Sequence, residues 1–358
     1  MLIYNVIYIS IIIGFLYSSM RHKGDEKILY VFVSLLIGLT VAFREETLGP
    51  DTDNYLDYFL RPNTFSTYYQ ASEIEPGITI LNWFLRLFIT DKYAYSFVLS
   101  LLYQIPIFIL FYKYSANKFL SLFLYISFSV AAPLFILSFS MLRQFLALAI
   151  WAIIIIRYNS NNEKIDKNII LLFILMLCCH SSSLIVLLLL LIRKRMISKK
   201  IYYISIISSV LIGFVIHKLM PLFLLFATSI GKGFYFRTLN DDWSYSIIPT
   251  IPYVGLLLTM IYILPLKLCN HYYIKGLFLA VIIGNIMSFG NNVDRMCAYF
   301  YLLSILAIPY FFQQKCNKYL KFILLTMLLG YFTYKYYLNL SLCDGTTSWE
   351  LVPYKSFI

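Results

Sequence analysis

Charge is what this sequence has least of. Of 358 residues, 13% are Asp, Glu, Lys or Arg, against 61% hydrophobic. That ratio excludes an ordinary soluble chain. Residues 44–76 form the longest polar stretch, too short for a useful soluble domain. The chain has no Gly-rich phosphate loop, no His-Glu-x-x-His, no Gly-x-Ser-x-Gly and no dinucleotide fingerprint. Their absence leaves any chemistry to groups at or within a membrane. The six cysteines are scattered, with no Cys-x-x-Cys or metal spacing, and read as small apolar residues. No metal or cofactor is expected. Neither an internal repeat nor a low-complexity linker interrupts the chain.

What is present is a succession of apolar runs near twenty residues, the length that crosses a bilayer as helix. The runs are continuous rather than alternating, which excludes a membrane β-barrel. Spans are expected at 2–19, 27–43, 77–90, 93–112, 119–137, 141–157, 168–192, 201–229, 248–267, 273–290, 296–312 and 319–338. The fold class is all-α: a polytopic membrane protein of about twelve transmembrane helices, one domain over residues 1–358 with an outer loop at about 44–76. The first run lacks a basic n-region and a small-residue cleavage site, and is expected to be a retained span. A break is expected near Pro221 and a kink at Ala132-Pro133, because proline removes a helix hydrogen bond.

The net charge of +12 does not indicate nucleic acid here. The lysines and arginines mostly fall in short loops, as topology determinants do. Residues 193–200, RKRMISKK, mark the cytoplasmic side. Counting from there puts 20–27, the region around 92, 138–143, 268–272 and 313–318 on that side. Both termini, 43–77, 230–247 and 290–295 fall outside. All acids except Asp25, Glu26 and Asp91 then lie on the outer side.

Polar residues in or beside membrane helices are costly and mark cavities. Five places stand out. Arg44 ends the second run and is followed by Gly49-Pro50, Asp51, Asp53 and Tyr55. Arg44 can snorkel and the aspartates can close turns, but together they make a polar surface at a membrane mouth. Glu75-Pro76-Gly77 has the form of a helix start, which accounts for Pro76 and Gly77 and leaves Glu75 open. Arg143-Gln144 either flanks a tight turn on the cytoplasmic side or reaches a cavity from a broken tract. His180 with Ser181, Ser182 and Ser183 lies near the centre of its run; it can bond a neighbouring helix, act as a base or partner a phosphate. Asn291 to Asp294 has capping spacing, whereas Arg295 opposes the helix dipole unless an anion binds there, with Tyr299 on the same face.

Guanidinium groups suit phosphate oxygens, and acids and tyrosines suit sugar hydroxyls. A lipid-linked sugar phosphate or pyrophosphate unites these with a greasy tail.

The order Arg44-x6-Asp51-x-Asp53-x-Tyr55, Glu75-Pro-Gly, Arg143-Gln144-x-Leu-Ala, His180-x-Ser-Ser-Leu and Asp294-Arg295-x3-Tyr-Phe resembles the EpsG family, and the closing Pro353-Tyr354 is in keeping. The resemblance covers nearly the whole chain. One departure is Gly49-Pro50-Asp51-Thr52-Asp53 where the family often reads Gly-Thr-Asp, so Asp51 and Asp53 both remain candidates for the acid. The resemblance implies a Wzy-type polymerase of bacterial exopolysaccharide, capsule or O-antigen, similar in architecture to GT-C membrane glycosyltransferases. It implies a place in the inner membrane with its active site facing the periplasm or outside. The implied substrate is an oligosaccharide on undecaprenyl pyrophosphate, and a chain-length regulator is an implied partner. Under that reading Asp53, Asp51 or His180 takes the acceptor proton. Arg44, Arg143 and Arg295 face the pyrophosphate, and Tyr55, Gln144 and Tyr299 line the glycan. Competing readings are a flippase or a ligase for the same lipid-linked sugar, and a membrane acyltransferase built on His180.

Overall fold

The computed structural model describes residues 1–20, 26–49, 51–60, 75–130, 132–229, 246, 248–287, 293–343 and 351–357. In chain order the helices are α1 (Leu2–Met20), α2 (Glu26–Ala42), α3 (Thr52–Leu60), α4 (Pro76–Arg86), α5 (Lys92–Tyr114), α6 (Lys118–Ser127), α7 (Leu134–Leu137) and α8 (Leu142–Ser160). They continue as α9 (Lys167–Cys179), α10 (Leu187–Ile192), α11 (Lys199–Ser229), α12 (Ile251–Ile263), α13 (Leu266–Cys269), α14 (Tyr272–Ile286), α15 (Val293–Gln313) and α16 (Lys318–Ser341). Among the described residues there is no β-strand, only a single bridge between Arg44 and Ser356. The chain is all-α. Among the described residues four helical stretches are long and apolar enough to cross a membrane: Lys92–Tyr114, Leu142–Ser160, Lys199–Leu219 and Arg295–Gln313, with several shorter apolar helices besides.

Four expected spans take a different form. Residues 77–90 hold the 11-residue helix α4. At 1.5 Å per residue it is roughly 17 Å long, against a hydrocarbon core of about 30 Å. The 119–157 tract is broken: α6 stops at Ser127, Pro133 caps the one-turn helix α7, and α8 starts only at Leu142. The proline expected to kink a helix therefore stands where the chain leaves helix altogether. The 168–192 run is interrupted at His180, which is extended (φ −160°, ψ 118°) and leads into a 3₁₀ turn. Conversely, α11 continues unbroken through Pro221, where a break was expected.

The chain divides into two compact units. The first contains residues 1–128, 133–184 and 312–358. Its threading follows from named contacts. Tyr30 donates to the Phe108 carbonyl, and Lys118 pairs with Glu26, so α2 and α5 run antiparallel. The rings of Tyr103 and Phe145 pack 5.4 Å apart, and Tyr114 donates to the Ile156 carbonyl, so α5 and α8 run parallel at a constant offset. That offset sets Leu142 level with Ser100, eight residues below Lys92, so α8 begins roughly 12 Å deep in the unit.

Lys92 pairs with Glu46, so the start of α5 shares an end with the loop after α2. The expectation that 92 and 46 lie on opposite sides is corrected: α4 does not cross, and the chain from 44 to 92 begins and ends on one side. Lys27, Lys113, Lys118, Arg157, Lys164 and Lys167 gather at the other end of the unit. The second unit spans residues 129–132 and 185–311. In it Tyr202 packs on Phe278, Asn285 donates to Ser209, and buried Lys275 donates to the carbonyls of Ile192, Arg193 and Arg195.

Candidate active site

Two glycines allow close backbone approaches. Gly49 has φ +97°, and a Cβ there would stand 2.6 Å from the Phe139 carbonyl oxygen. Only glycine adopts that conformation at little cost and allows so close an approach. The loop is thereby seated on the broken tract: Thr52 Oγ1 donates to the Phe139 carbonyl at 2.9 Å, and Ser140 Oγ contacts both the amide and the Oδ2 of Asp51 at 3.3 Å. At Gly77 a Cβ would meet the Cys178 carbonyl oxygen at 2.7 Å. Glycine there lets the start of α4 lie against the end of α9.

This contact brings Glu75 to His180. Glu75 precedes α4 but makes no side-chain cap bond. Its carboxylate faces the other way. Oε2 accepts from Arg143 Nη1 at 2.6 Å, and Oε1 lies 2.9 Å from His180 Nδ1. Arg143 Nε donates to the Tyr55 hydroxyl at 3.1 Å, and the guanidinium lies over the Tyr55 ring, 5.7 Å from its centroid. The result is a chain from Tyr55 through Arg143 and Glu75 to His180. The Arg143, Glu75 and His180 side chains are 30%, 18% and 20% exposed, so the chain is sheltered but reachable.

Burial pushes the Glu75 carboxyl upward, but the His180 hydrogen bond and the Arg143 charge outweigh it and bring its pKa to about 2. Glu75 is therefore an anion at any physiological pH, and an anion can only accept. His180 Nδ1 must carry the proton it shares, which leaves Nε2 as the free basic nitrogen when the ring is neutral. A base oriented by a carboxylate, beside a cation, can deprotonate a hydroxyl next to an anionic leaving group. Arg143 has Nε and Nη1 engaged.

The other sequence candidates distribute around this chain. Tyr55 belongs to it. Asp51 contacts Ser140, three residues before Arg143. Asp53 is exposed, roughly 200° around α3 from Tyr55. Partial burial, then Glu46 and Asp57, raise its pKa. Gln144 is buried next to Arg143 in sequence. Arg44 is 1% exposed, with Nη1 donating to the Val41 carbonyl and to Ser100. Arg295 is exposed and Tyr299 buried on α15, in the second unit. The capping expected of Asn291 lies outside the described residues. Glu75 is the residue whose place the sequence left open. Its signal was a Glu-Pro-Gly in which proline and glycine already accounted for the helix start and left the acid without a local role.

The motifs that build this site lie within residues 27–356, and over that whole range the chain matches the model of the EpsG family. The chain belongs to the EpsG family. No curated protein and no solved structure matches it. Membership in EpsG, with the apolar helices, makes this a membrane protein of exopolysaccharide biosynthesis. The five motifs divide between the units: those bearing Arg44, Glu75, Arg143 and His180 are in the first, and the Arg295 motif is in the second.

Proposed function

We propose that this EpsG-family chain is a Wzy-type polysaccharide polymerase: a membrane glycosyltransferase, of about twelve spans and GT-C-like architecture, in the bacterial inner membrane. It joins oligosaccharide units carried on undecaprenyl pyrophosphate into O-antigen, capsule or exopolysaccharide. The Glu75 end of the first unit faces the periplasm or outside. Support for that orientation comes from the lysines and arginines at the opposite end of the first unit, the pattern of cytoplasmic loops, which replaces the stretch 193–200 as the anchor of the count.

The observation that carries the reading is the Glu75 carboxylate holding His180 and Arg143 together. A hydroxyl of the acceptor glycan attacks the anomeric carbon of the donor glycan. The new C–O bond forms as the bond to the pyrophosphate breaks, and the leaving diphosphate takes the electron pair. His180 Nε2 accepts the hydroxyl proton, and Glu75 stabilises the imidazolium that results. Arg143 stabilises charge on the leaving diphosphate; Arg295, in the second unit, is proposed as a phosphate ligand in its own right. His180 is preferred to Asp53 because Glu75 orients it, whereas Asp53 is exposed among other carboxylates. Asp51, Tyr55, Gln144 and Tyr299 serve the glycan. No nucleotide sugar, metal or cofactor enters the scheme.

The test is complementation of a strain lacking the chain, with expression of each variant verified. Arg143→Ala is expected to lower polymer output roughly a hundredfold or more. His180→Ala should lower it by about a hundred- to ten-thousandfold. Single repeat units should remain at the cell surface in both cases. If neither variant reaches the surface with any unit, the chain acts in transport; if both polymerise normally, the reading is wrong.

A further inference from the structure

The first unit holds two apolar helices that are each too short to cross a bilayer. α4 has 11 residues and α9 has 13. They are roughly 17 and 20 Å long, against a hydrocarbon core of about 30 Å. Each carries an exposed apolar stripe. On α4 the stripe is Ile80, Phe84, Leu87 and Phe88, while the polar Thr79 and Asn82 are fully buried. Asn82 accepts from the Tyr95 hydroxyl at 2.8 Å. A helix beside water has the opposite pattern, polar outward and apolar inward. α4 is turned inside out, as a helix is when its outer face meets lipid. On α9 the exposed stripe is Ile170, Leu171, Ile174 and Leu175.

The two stripes meet. Gly77 stands three residues before Ile80, so it falls on the stripe of α4. Cys178 stands three and four residues after Leu175 and Ile174, so it falls on the stripe of α9. These are the residues whose backbones approach each other, with 2.7 Å between the position of a Gly77 Cβ and the Cys178 carbonyl oxygen.

Depth orders the pieces. Arg157, near the end of α8, pairs with Asp166, the cap of α9, so α9 starts where α8 finishes. Arg143, in the first turn of α8, shares Glu75 with His180, so α9 finishes at the depth where α8 starts. α4 starts from Glu75 at that depth and rises to Asn82, which meets Tyr95 in the first turn of α5. End to end, α9 and α4 supply roughly 36 Å of helix, enough to cross the core with some tilt. Ion pairs mark both ends, Arg157 with Asp166 at one and Lys92 with Glu46 at the other.

We infer that α9 and α4 join end to end as one composite membrane span, whose continuous outer stripe lies against lipid acyl chains and whose break holds Glu75 and His180. Backbone that leaves the helix at this depth is tolerated only where protein covers it. The close approach at Gly77 supplies that cover. It draws the two helix ends together and keeps acyl chains away from the Glu75–His180 pair. The span rests on contacts and apolar surface, and it stands whatever reaction the site performs.

The test uses the full-length protein in phospholipid vesicles, with Cys178→Ser and Cys316→Ser removing the two cysteines that are not buried. Single cysteines at positions 80, 84, 171 and 175 carry a nitrobenzoxadiazole label, and each labelled protein must match its parent in gel filtration. Lipids brominated along the acyl chain are expected to quench all four labels, and aqueous iodide to quench none. Spin labels at 87 and 171 then fix the order of the helices. End to end, they stand roughly 25 Å apart; side by side, they stand within about 15 Å. Iodide quenching at 80 and 84 would place α4 in water. Labels there that respond to neither quencher would place protein on the stripe. A short distance between 87 and 171 would lay the helices side by side. Each of these results overturns the span. None of them reads polymer output, so loss of the span leaves the polymerase reading standing, and loss of that reading leaves the span.

Discussion

At the scale of single residues, Glu75 organises the site. Its carboxylate is the only group that touches both Arg143 and His180 among the described contacts. Removing its charge should disturb both partners at once. Glu75→Gln is expected to lower polymer output by about ten- to a hundredfold, since a positioned base contributes about that much or more. Glu75→Asp should recover part of it. A purely structural acid would change expression and leave the output per expressed molecule unaltered. The pKa of Glu75 also sets a stability signature. Its folded value is about 2, against an ordinary value near 4.5. A depressed carboxyl contributes stability that is present above the ordinary value and lost as pH falls toward the folded one. The thermal midpoints of wild type and Glu75→Gln should therefore converge between about pH 4.5 and 2, and differ most above that range. The sequence exposed Arg143 and His180 as expensive residues in apolar surroundings. It could not expose their partner, because 68 and 105 residues separate Glu75 from them.

At the scale of elements, the seam between α4 and α9 positions the dyad. Gly77 sits where any side chain would collide with the Cys178 backbone, which cannot swing aside. Gly77→Ala should cost about 1–3 kcal/mol, as overpacking does, and should separate Glu75 from His180. Thermal unfolding and polymer output are both expected to fall, and a variant with wild-type values in both would remove the seam from the argument. The breaks at 128–141 and at His180 follow the same logic. Proline at 133 marked one of them in advance. No proline or glycine marked the other, since residues 169–179 and 184–192 are apolar on either side. Pro221 shows the reverse: a proline that the surrounding helix absorbs.

At the scale of the whole molecule, the ends of the first unit are sorted by ion pairs. Lys92 joins Glu46 at one end, and Lys118 joins Glu26 at the other. Cysteines introduced at 46 and 92 should react with an impermeant maleimide from the same side of the membrane, and cysteines at 26 and 118 from the opposite side. Labelling of 46 and 92 from opposite sides would restore α4 as a crossing helix. Counting loops failed here because a short apolar helix that does not cross resembles one that does. Each such miscount inverts every later assignment.

By itself the sequence determined that this is a helical membrane chain of the EpsG family. Apolar run lengths and ordered short motifs are local quantities, and they survive without knowledge of contacts. Only the tertiary structure decided that α4 stays on one side, that α8 begins deep, and that Arg143 and His180 share one carboxylate. Those outcomes depend on close approaches at Gly49 and Gly77 and on charges far apart in the chain, which have no meaning until the helices are packed.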